Sequence, residues 1–455
     1  MTYDFDALLD RVEKPARYTG GEMNAEVKPI SQAEISFAFC FPDTYEVAMS
    51  HLGMKILYGI LNELPYAVCE RVCMPWVDML CELRKNNIPL CSLESHTPLS
   101  RFDIIGFTLQ YEMSYTNVLE MMDLGGVPVL SSERGEDDPI VLAGGPCAFN
   151  PEPLHLFIDA FLIGDGEDSI VEVTDVLNAC KKEGVPRAER LKRLASLRGV
   201  YVPGLYHDEY NADGTLKSLE PTDPCAPPRV LRSILTDFEN AYVPTRPPVP
   251  YIQPVFDRIM LEIMRGCTRG CRFCQAGMLY RPVRERSVDK LVELAKESVK
   301  NTGYEEISLS SLSSSDYSCI SELAGRLTDE LRDQRVSLSL PSLRVDKFVQ
   351  DTLTHTQKVK KSSLTFAPEA GTQRLRDVIN KNVTEADLVN TLTNAFSNGW
   401  NAVKLYFMTG LPTETDEDLI GIAELAKTAA GAYYSVPKEK RVKGLRITCS
   451  AAVFV

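Results

Sequence analysis

Residues 258–277 read RIMLEIMRGCTRGCRFCQAG, an apolar run followed directly by three closely spaced cysteines. The run has the length and composition of a strand that is buried on both faces, as in the middle of a parallel sheet. In folds that repeat β/α units, the loops after the strands carry the functional groups. The cysteines are therefore expected on a functional loop at the C-terminal edge of a sheet.

Cys267, Cys271 and Cys274 follow a C-x3-C-x2-C spacing. Three thiolates can bind three irons of a [4Fe–4S] cluster and leave the fourth iron open to a small ligand. Gly266 and Gly270 let the loop wrap closely around such a cluster. Two other interpretations are a zinc site and three unrelated thiols. A structural zinc site usually takes four ligands in two pairs, and the neighbouring sequence offers no second pair.

The rest of residues 258–455 repeats the alternation of strand and helix. Ser287 is a predicted N-cap, and Thr384 with Asp387 predicts a capping box. Six β/α units predict a partial (β/α)6 TIM-like barrel. Since the last strand is apolar and no helix follows it, we expect a domain that is truncated at its C-terminus. The strand candidates are RIMLEIM, EEISLSS, VSLSLPS, SSLTFAP, NAVKLYF and LRITCSAAVFV.

An N-terminal block, residues 31–182, also alternates strands with helices, and an arm of residues 1–30 precedes it. Its clearest strand candidates are FDIIGFTLQ at 102–110, PIVLAGG at 139–145 and DAFLIGDGED at 159–168. This alternation predicts an α/β fold with a doubly wound parallel sheet of the flavodoxin or Rossmann type.

Residues 183–257 are a predicted joint between the two blocks. The joint contains CAPPRV and VPTRPPVPY, and proline-rich runs of this kind are typical of extended connectors. The sequence Ala212-Asp213-Gly214 predicts the turn of a hairpin. We therefore expect the joint to lie across the junction of the two blocks.

The 455 residues are 44% apolar and 25% charged, which excludes fibrous, low-complexity and disulfide-rich classes. The sequence has no apolar run of about 18 residues, so it predicts no membrane span. The acidic N-terminus does not resemble a signal peptide. The 49 basic and 63 acidic residues give a net charge of −14, which disfavours general binding of nucleic acids. Thirteen cysteines without an export signal indicate a reducing compartment, so we expect a cytoplasmic protein.

The cysteine motif, with Phe273 before its last cysteine, resembles the radical S-adenosylmethionine (SAM) superfamily. In that family the open iron chelates the amine and carboxylate of SAM. An electron from the cluster then cleaves the sulfonium and gives a 5′-deoxyadenosyl radical. The resemblance implies a [4Fe–4S] cluster on Cys267, Cys271 and Cys274, SAM as a cofactor, and an electron donor such as flavodoxin or ferredoxin.

Two later motifs extend the resemblance over the second block. APEAGTQRLRDVIN, at 367–380, is similar to the fourth-strand element of the branch that contains the methylthiotransferases and the Elongator catalytic subunit. YFMTGLPTET, at 406–415, is similar to the fifth-strand element, whose backbone holds the adenine. The SAM-binding residues that these motifs imply are Glu369, Arg374, Tyr406, Met408 and Gly410.

The loop after the second strand of this block departs from the family pattern. Many members have Gly-Gly-Glu there, which receives the SAM amine, whereas this chain has SSLSSSDY at 310–317. Ser313 and Asp316 are the candidate substitutes. The alternative is a polar loop that leads into a helix.

The strand ends of the first block resemble the cobalamin-binding domain that precedes many radical SAM cores. Loops at the C-terminal ends of parallel strands converge on a crevice at the topological switch point, where ligands bind. The D-x-H-x-x-G motif that gives a histidine to cobalt is absent, so the alternative is a docking domain without cofactor. The positions implied for cobalamin are Gln110, Tyr111, Gly144, Gly145 and Gly164, the glycines because they admit a nucleotide tail close to the backbone.

The whole pattern resembles a bacterial branch of cobalamin-domain radical SAM proteins, many of which continue into a further C-terminal domain. The leading hypothesis is an enzyme that forms the deoxyadenosyl radical and methylates an unactivated carbon through methylcobalamin. One alternative is modification of an RNA or ribosomal component without cobalamin, as by the methylthiotransferases. Another is a non-catalytic iron–sulfur or cobalamin-binding sensor. We expect no membrane partner, and a missing C-terminal domain or partner protein.

Overall fold

The computed structural model of the chain describes residues 5–339 and 364–455. The chain divides into two compact units, Met1–Asp257 and Arg258–Val455. Within the two described ranges, no helix combines the length and hydropathy that crossing a bilayer requires.

The first unit is built on a six-stranded sheet. Its strands are β1 (Ile35–Phe41), β2 (Ala67–Cys73), β3 (Ile104–Thr108), β4 (Ile140–Gly144), β5 (Ala160–Leu162) and β6 (Val200–Tyr201). Their order in the sheet is β2-β1-β3-β4-β5-β6. Strands β1 to β5 are parallel, and β6 pairs antiparallel with β5. The order reverses between β1 and β3, which is the switch point of a doubly wound sheet, as the sequence predicts.

Helices cover both faces of this sheet. They are α1 (Asp6–Leu9), α2 (Tyr45–Ala48), α3 (Leu52–Glu63), α4 (Val77–Asn86), α5 (Tyr115–Leu124), α6 (Glu167–Glu183) and α7 (Arg187–Ala195). One core cluster joins Phe37 of β1 to Met54 of α3 and Val173 of α6. A second cluster joins Ala38 of β1 to Met121 of α5. Neighbouring strand residues thus enter different cores, because side chains alternate across a sheet. A separate hairpin pairs β7 (Tyr206–Tyr210) with β8 (Leu216–Pro221).

The second unit carries two parallel three-stranded sheets in its described residues. Its strands are β9 (Ile259–Glu262), β10 (Met264–Arg265), β11 (Arg284–Glu285), β12 (Glu306–Ser310), β13 (Ser337–Ser339), β14 (Leu364–Glu369), β15 (Ala402–Thr409) and β16 (Arg446–Val453). The sheet orders are β13-β12-β9 and β14-β15-β16, and β10 pairs with β11. All six strand candidates are strands in order along the chain, as expected of a TIM-like barrel. Parts of VSLSLPS and SSLTFAP lie outside the described residues.

The second unit has six helices in its described residues, and two of them begin where the sequence signals a cap. They are α8 (Ala276–Leu279), α9 (Val288–Thr302), α10 (Ile320–Glu330), α11 (Gln373–Val378), α12 (Glu385–Ser397) and α13 (Asp416–Ser435). The Ser287 side chain accepts the N–H of Lys290, which confirms the predicted cap of α9. Thr384 and Asp387 form the predicted capping box of α12. These caps satisfy backbone donors that a helix leaves unpaired at its start.

A buried ion cluster ties the N-terminal arm to the first sheet. Arg71 Nη2 lies 2.6 Å from Glu22 Oε2, and its Nε lies 2.6 Å from Glu94 Oε1. All three side chains are at most 2% exposed. The backbone N–H of Arg71 also donates to Glu94 at 2.7 Å. Because Glu22 precedes the sheet and Arg71 belongs to β2, this contact holds the arm on the sheet.

Replacing Arg71 with Met should destabilise the first unit by about 3–5 kcal/mol, because two carboxylates then stay buried without a compensating cation. Chemical denaturation of the full chain with the Trp400→Phe change in every variant, followed by the fluorescence of Trp76, measures this change. The matched control is Arg84→Met, which removes an exposed arginine that pairs with Glu120 and Asp123. The control should unfold like the wild type. Equal unfolding midpoints for R71M and R84M would contradict the argument.

Candidate functional site

The three cysteines lie half-buried on the loop between β10 and α8. The N–H of Cys274 donates to the carbonyl oxygen of Cys271 at 3.2 Å, so a turn brings the second and third cysteines together. Gly266 and Gly270 have φ values of 91° and 68°. Glycine adopts such angles without steric cost, and the loop reverses direction at both positions.

The donor set of this loop fits an iron–sulfur cluster. Soft thiolates suit iron–sulfur clusters and zinc. Within residues 5–339 and 364–455, no three His, Cys, Asp or Glu side chains converge on one ion-sized point. In a [4Fe–4S] cluster each thiolate binds a different iron, so the sulfurs need not converge in this way. Cys267, Cys271 and Cys274 would be its three ligands.

Arg269 attaches the cysteine loop to the loop after β12. Its Nε donates to Asp316 Oδ2 at 2.8 Å, and its Nη2 pairs with the other carboxylate oxygen. The Ser313 hydroxyl donates to the same Oδ2 at 2.8 Å. A planar guanidinium that contacts both oxygens fixes the orientation of the carboxylate. Both candidates for the SAM amine therefore lie beside the cysteine loop and are hydrogen-bonded to each other.

The segment after α11 attaches the other side of the loop. The N–H of Arg272 donates to the carbonyl oxygen of Ile379 at 3.0 Å. Asn380 Nδ2 donates to the carbonyl oxygen of Gly270 at 2.8 Å. Arg272 Nη1 also donates to the carbonyl oxygen of Val378. Asn380 has a φ of 54°, which asparagine tolerates better than most residues, so the turn suits its sequence.

Glu369 stands at the end of β14, where the register with β15 shifts between Phe366 and Glu369. Its φ of 69° is strained for a residue with a Cβ. Its Oε1 lies 3.0 Å from Lys381 Nζ. The same ammonium group lies 5.8 Å from the centre of the Phe273 ring, which directly precedes Cys274. Strand, turn and cysteine loop therefore meet at Lys381.

An apolar cluster joins the fifth-strand motif to this group. Phe273 of the cysteine loop and Met408 of β15 pack against the same buried residues. Those residues are Ala370, Leu375, Ile379 and Leu411. Tyr406 lies on the same side of β15, partly exposed, with Lys404 Nζ 4.5 Å from its ring centre. The structure thus brings the cysteine loop together with Glu369 of the fourth-strand motif and Met408 of the fifth-strand motif.

The side chain of Arg374 is half-exposed and forms an ion pair and a hydrogen bond within the protein. Its Nη2 pairs with Asp418 and donates to the carbonyl oxygen of Thr413 at 2.8 Å. Although burial raises the pKa of Asp418, hydrogen bonds from Thr372 and Arg374 lower it below its ordinary value. The predicted contact of Arg374 with a SAM carboxylate would therefore compete with this ion pair. The N–H of Gly410 donates to Glu414 Oε2 at 2.6 Å, which orders the turn after β15.

In the first unit, Gln110 and Tyr111 follow β3 at the switch point. Gln110 Nε2 donates to Thr108 Oγ1 at 2.5 Å, and the Tyr111 hydroxyl donates to Asp43 Oδ2 at 3.5 Å. Gln110 also hydrogen-bonds the ring of His51. His51 Nδ1 in turn accepts the N–H of Met54 at 3.1 Å, so the imidazole caps α3.

The predicted glycines of this edge differ in what surrounds them. A Cβ on Gly145 would lie 2.7 Å from the carbonyl oxygen of Leu109, and one on Gly164 would lie 2.1 Å from that of Ser233. The close approach at these two positions is therefore made by the chain's own backbone. Gly144 has only ordinary neighbours, the nearest at 3.6 Å. A role of the glycines toward a cofactor stays a prediction.

Sequence reasoning missed three residues that organise these sites. Asn380 is the last residue of the fourth-strand motif, and Lys381 directly follows it. Their place at the end of this motif was the signal that could have identified them, because residues that follow a site loop are placed to contact that loop. His51 had no such signal, since its role depends on Gln110 in a distant part of the sequence.

Two family models match this chain. The model for the N-terminal region of radical SAM proteins matches residues 53–203, and the model for the radical SAM superfamily matches residues 261–426. The uncharacterized protein MJ0966 of Methanocaldococcus jannaschii is 33% identical over 391 residues, which is 86% of this chain and 73% of that protein.

Two solved structures share the fold. OxsB, a cobalamin-dependent SAM radical enzyme solved with aqua-cobalamin and SAM bound, has a TM-score of 0.58 and 14% identity over 86% of this chain. This chain spans about half, 52%, of the OxsB chain. TsrM from Kitasatospora setae, a radical SAM methyltransferase solved with cobalamin and a [4Fe–4S] cluster, has a TM-score of 0.57 and 12% identity. The match covers 87% of this chain and 70% of the TsrM chain. At these identities the likeness shows the fold.

His51 should give the chain a pH-dependent stability. Burial, opposed by the Gln110 hydrogen bond and assisted by the positive charge of Lys55, lowers the pKa of His51 to about 4. The unfolded imidazole binds a proton near its ordinary pKa of about 6.5. Unfolding therefore takes up a proton between these values, and stability rises as the pH increases from about 4 to about 6.5.

The test compares the urea midpoints of wild type and His51→Gln at pH 5 and pH 7.5. The variant should be less stable at pH 7.5 because the cap of α3 changes, but its midpoint should depend less on pH. His207→Gln, on the exposed hairpin strand β7, is the control and should keep the wild-type dependence. An unchanged pH dependence in H51Q would contradict the assignment.

Proposed function

This chain belongs to the radical SAM superfamily, and we propose that it cleaves SAM reductively to a 5′-deoxyadenosyl radical, with a [4Fe–4S] cluster on Cys267, Cys271 and Cys274. The observation that carries the proposal is the placement of the cysteine loop. It is attached to Asp316 on one side and to Asn380 on the other, each next to predicted SAM residues. An arrangement of this kind brings a cluster and its substrate-binding side chains to one place.

The residues of the chain have separate tasks in this proposal. When bound, the cluster supplies the electron that cleaves the sulfonium of SAM. The three thiolates hold it and leave one coordination position open. Asp316 and Ser313 offer acceptors for the SAM amine, and Glu369 lies at the end of β14 to contact SAM. Tyr406, Met408 and Gly410 would lie along the adenine, with the turn at Gly410 closest to it, because the backbone of β15 is paired with β14 and β16. A small one-electron donor, of the flavodoxin or ferredoxin type, would reduce the cluster.

We further propose that the switch-point crevice of the first unit binds cobalamin. Tyr111 and Met113 follow β3 there and are 46% and 81% exposed, so an apolar surface is available to a large cofactor. Both OxsB and TsrM share this fold and were solved with cobalamin bound. His51 is already bound to Gln110 and Met54 at this edge. The proposal therefore assigns cobalamin to this crevice without an imidazole ligand from His51.

The two proposals together support methylation of an unactivated carbon. A radical generator and a methyl carrier are the two components that such a reaction needs, since the carbon must first lose a hydrogen atom. SAM would then serve as radical source and as methyl donor. Modification of an RNA or ribosomal component without cobalamin, or a sensor without turnover, becomes the conclusion if cobalamin binding or SAM cleavage fails.

Reconstituted protein with dithionite and SAM should release 5′-deoxyadenosine, and Cys271→Ala should abolish the release because one iron loses its ligand. Anaerobic assays followed by liquid chromatography measure the product. Cys319→Ala is the matched control, since Cys319 is an exposed thiol of the same unit outside the motif. C319A should release as much product as wild type. Release by C271A at the wild-type rate would refute the cluster assignment.

Hydroxocobalamin incubated with the reconstituted chain and then desalted should remain bound at about one equivalent, as expected of a preformed crevice. The double variant Tyr111→Ala/Met113→Ala should retain less, because it removes the apolar surface. Tyr210→Ala changes an equally exposed tyrosine on the hairpin and should retain as much as wild type. Absorbance spectra measure the bound cofactor. A cluster without retained cobalamin would favour RNA or ribosomal modification.

A further inference from the structure

Lys381 occupies an environment that is unusual for a lysine. Its side chain is 12% exposed, and that of its partner Glu369 is 15% exposed. The ammonium group lies 3.0 Å from Glu369 Oε1 and 5.8 Å from the Phe273 ring centre. A lysine loses much hydration and rotamer freedom on such burial, so the site must compensate with charge and ring contacts.

An exposed pair in the same unit shows what is special about this contact. Lys296 and Glu330 lie 2.9 Å apart, almost the same separation, but their side chains are 52% and 43% exposed. Solvent screens an exposed pair and leaves it little net effect. The Lys381–Glu369 pair is screened less, and its geometry is therefore held more firmly.

The backbone on both sides of the pair is shaped to make the contact. Glu369 has a φ of 69° and follows a register shift in β14, which turns its side chain out of the strand pattern. Asn380 and Asn382, on either side of Lys381, have φ values of 54° and 53°. Left-handed residues that are not glycine cluster where a structure prescribes the direction of a side chain. Here the strained Glu369 and the left-handed turn of Asn380 and Asn382 meet through Lys381.

We propose that Lys381 is a positioning residue, which holds the Glu369 carboxylate and the Phe273 ring together so that a SAM-binding group and the third cysteine keep a fixed separation. This inference rests on the proposed function, because it takes Glu369 as a contact of SAM. Lys381 acts through Glu369 and Phe273, so its effect appears in the affinity for SAM.

The contacts of the cysteine loop distinguish the positioning role of Lys381 from a role in supporting that loop. The cysteine loop is also attached through the N–H of Arg272 and the side chain of Asn380. These hydrogen bonds persist when Lys381 is replaced, so the thiols keep their places. Lys381→Met should therefore load iron like the wild type and bind SAM about tenfold more weakly. Lys381→Arg keeps the charge and the ring contact and should recover part of the affinity.

A double-mutant cycle on the full, reconstituted chain tests the coupling. Anaerobic equilibrium dialysis measures the Kd for SAM in wild type, K381M, E369Q and the double variant. If Lys381 acts through Glu369, each single change weakens binding about tenfold and the double variant is about as weak as either. Iron content, and the paramagnetic resonance spectrum of the reduced cluster with and without SAM, are read alongside. Lys296→Met is the control and should bind SAM within about twofold of wild type.

Each outcome of these measurements either supports or overturns the positioning role of Lys381. Wild-type affinity for SAM in K381M overturns the positioning role. A double variant that binds SAM about a hundredfold more weakly, because the two effects multiply, overturns it too. In both cases the proposed function stands. Loss of iron in K381M shows that the lysine supports the cysteine loop and overturns it as well. If the wild type binds no SAM, the proposed function fails and the inference fails with it. Tenfold, non-multiplicative effects with full iron content and rescue in K381R support it.

Discussion

The cysteine loop has little regular structure of its own, and its shape depends on hydrogen bonds to elements on both sides. Arg269 binds Asp316 on one side, and Asn380 binds the carbonyl oxygen of Gly270 on the other. The start of the loop also lies against the chain after α8, since a Cβ on Gly266 would lie 2.6 Å from the carbonyl oxygen of Tyr280. A loop attached in this way presents its thiols before any ligand arrives. The conformational cost of binding is therefore met during folding.

The same attachments balance charge in an acidic protein. The chain has a net charge of −14, and carboxylates beside the cysteines would oppose the addition of an electron to a cluster there. Both nearby carboxylates are paired within the chain, Asp316 with Arg269 and Glu369 with Lys381. Local compensation thus separates the chemistry of the loop from the overall charge. This is why net charge alone says little about what such a site binds.

Features that depend on neighbouring residues could be predicted from the sequence, whereas contacts between distant residues could not. The six predicted strands of the second unit follow from apolar runs bounded by turns, and the cysteine spacing identifies its loop. The pairing of Arg374 with Asp418 joins residues 44 positions apart, and no pattern signals it. Lys381 looks like a solvated lysine in the sequence, because its burial depends on the turn that Asn380 and Asn382 make around it. Which charges a fold buries is decided by tertiary packing.

The glycines of the first unit can be required for two different structural reasons, and the sequence alone does not distinguish between them. Glycine is needed wherever a backbone is approached closely, whether by a cofactor or by another part of the chain. At Gly145 and Gly164 the chain's own backbone makes that approach. The features that the crevice offers a ligand are then the side chains after β3, chiefly Gln110 and Tyr111. Gln110 donates to Thr108 at the end of its own strand, whereas Tyr111 is 46% exposed, so Tyr111 is the more available of the two to a ligand.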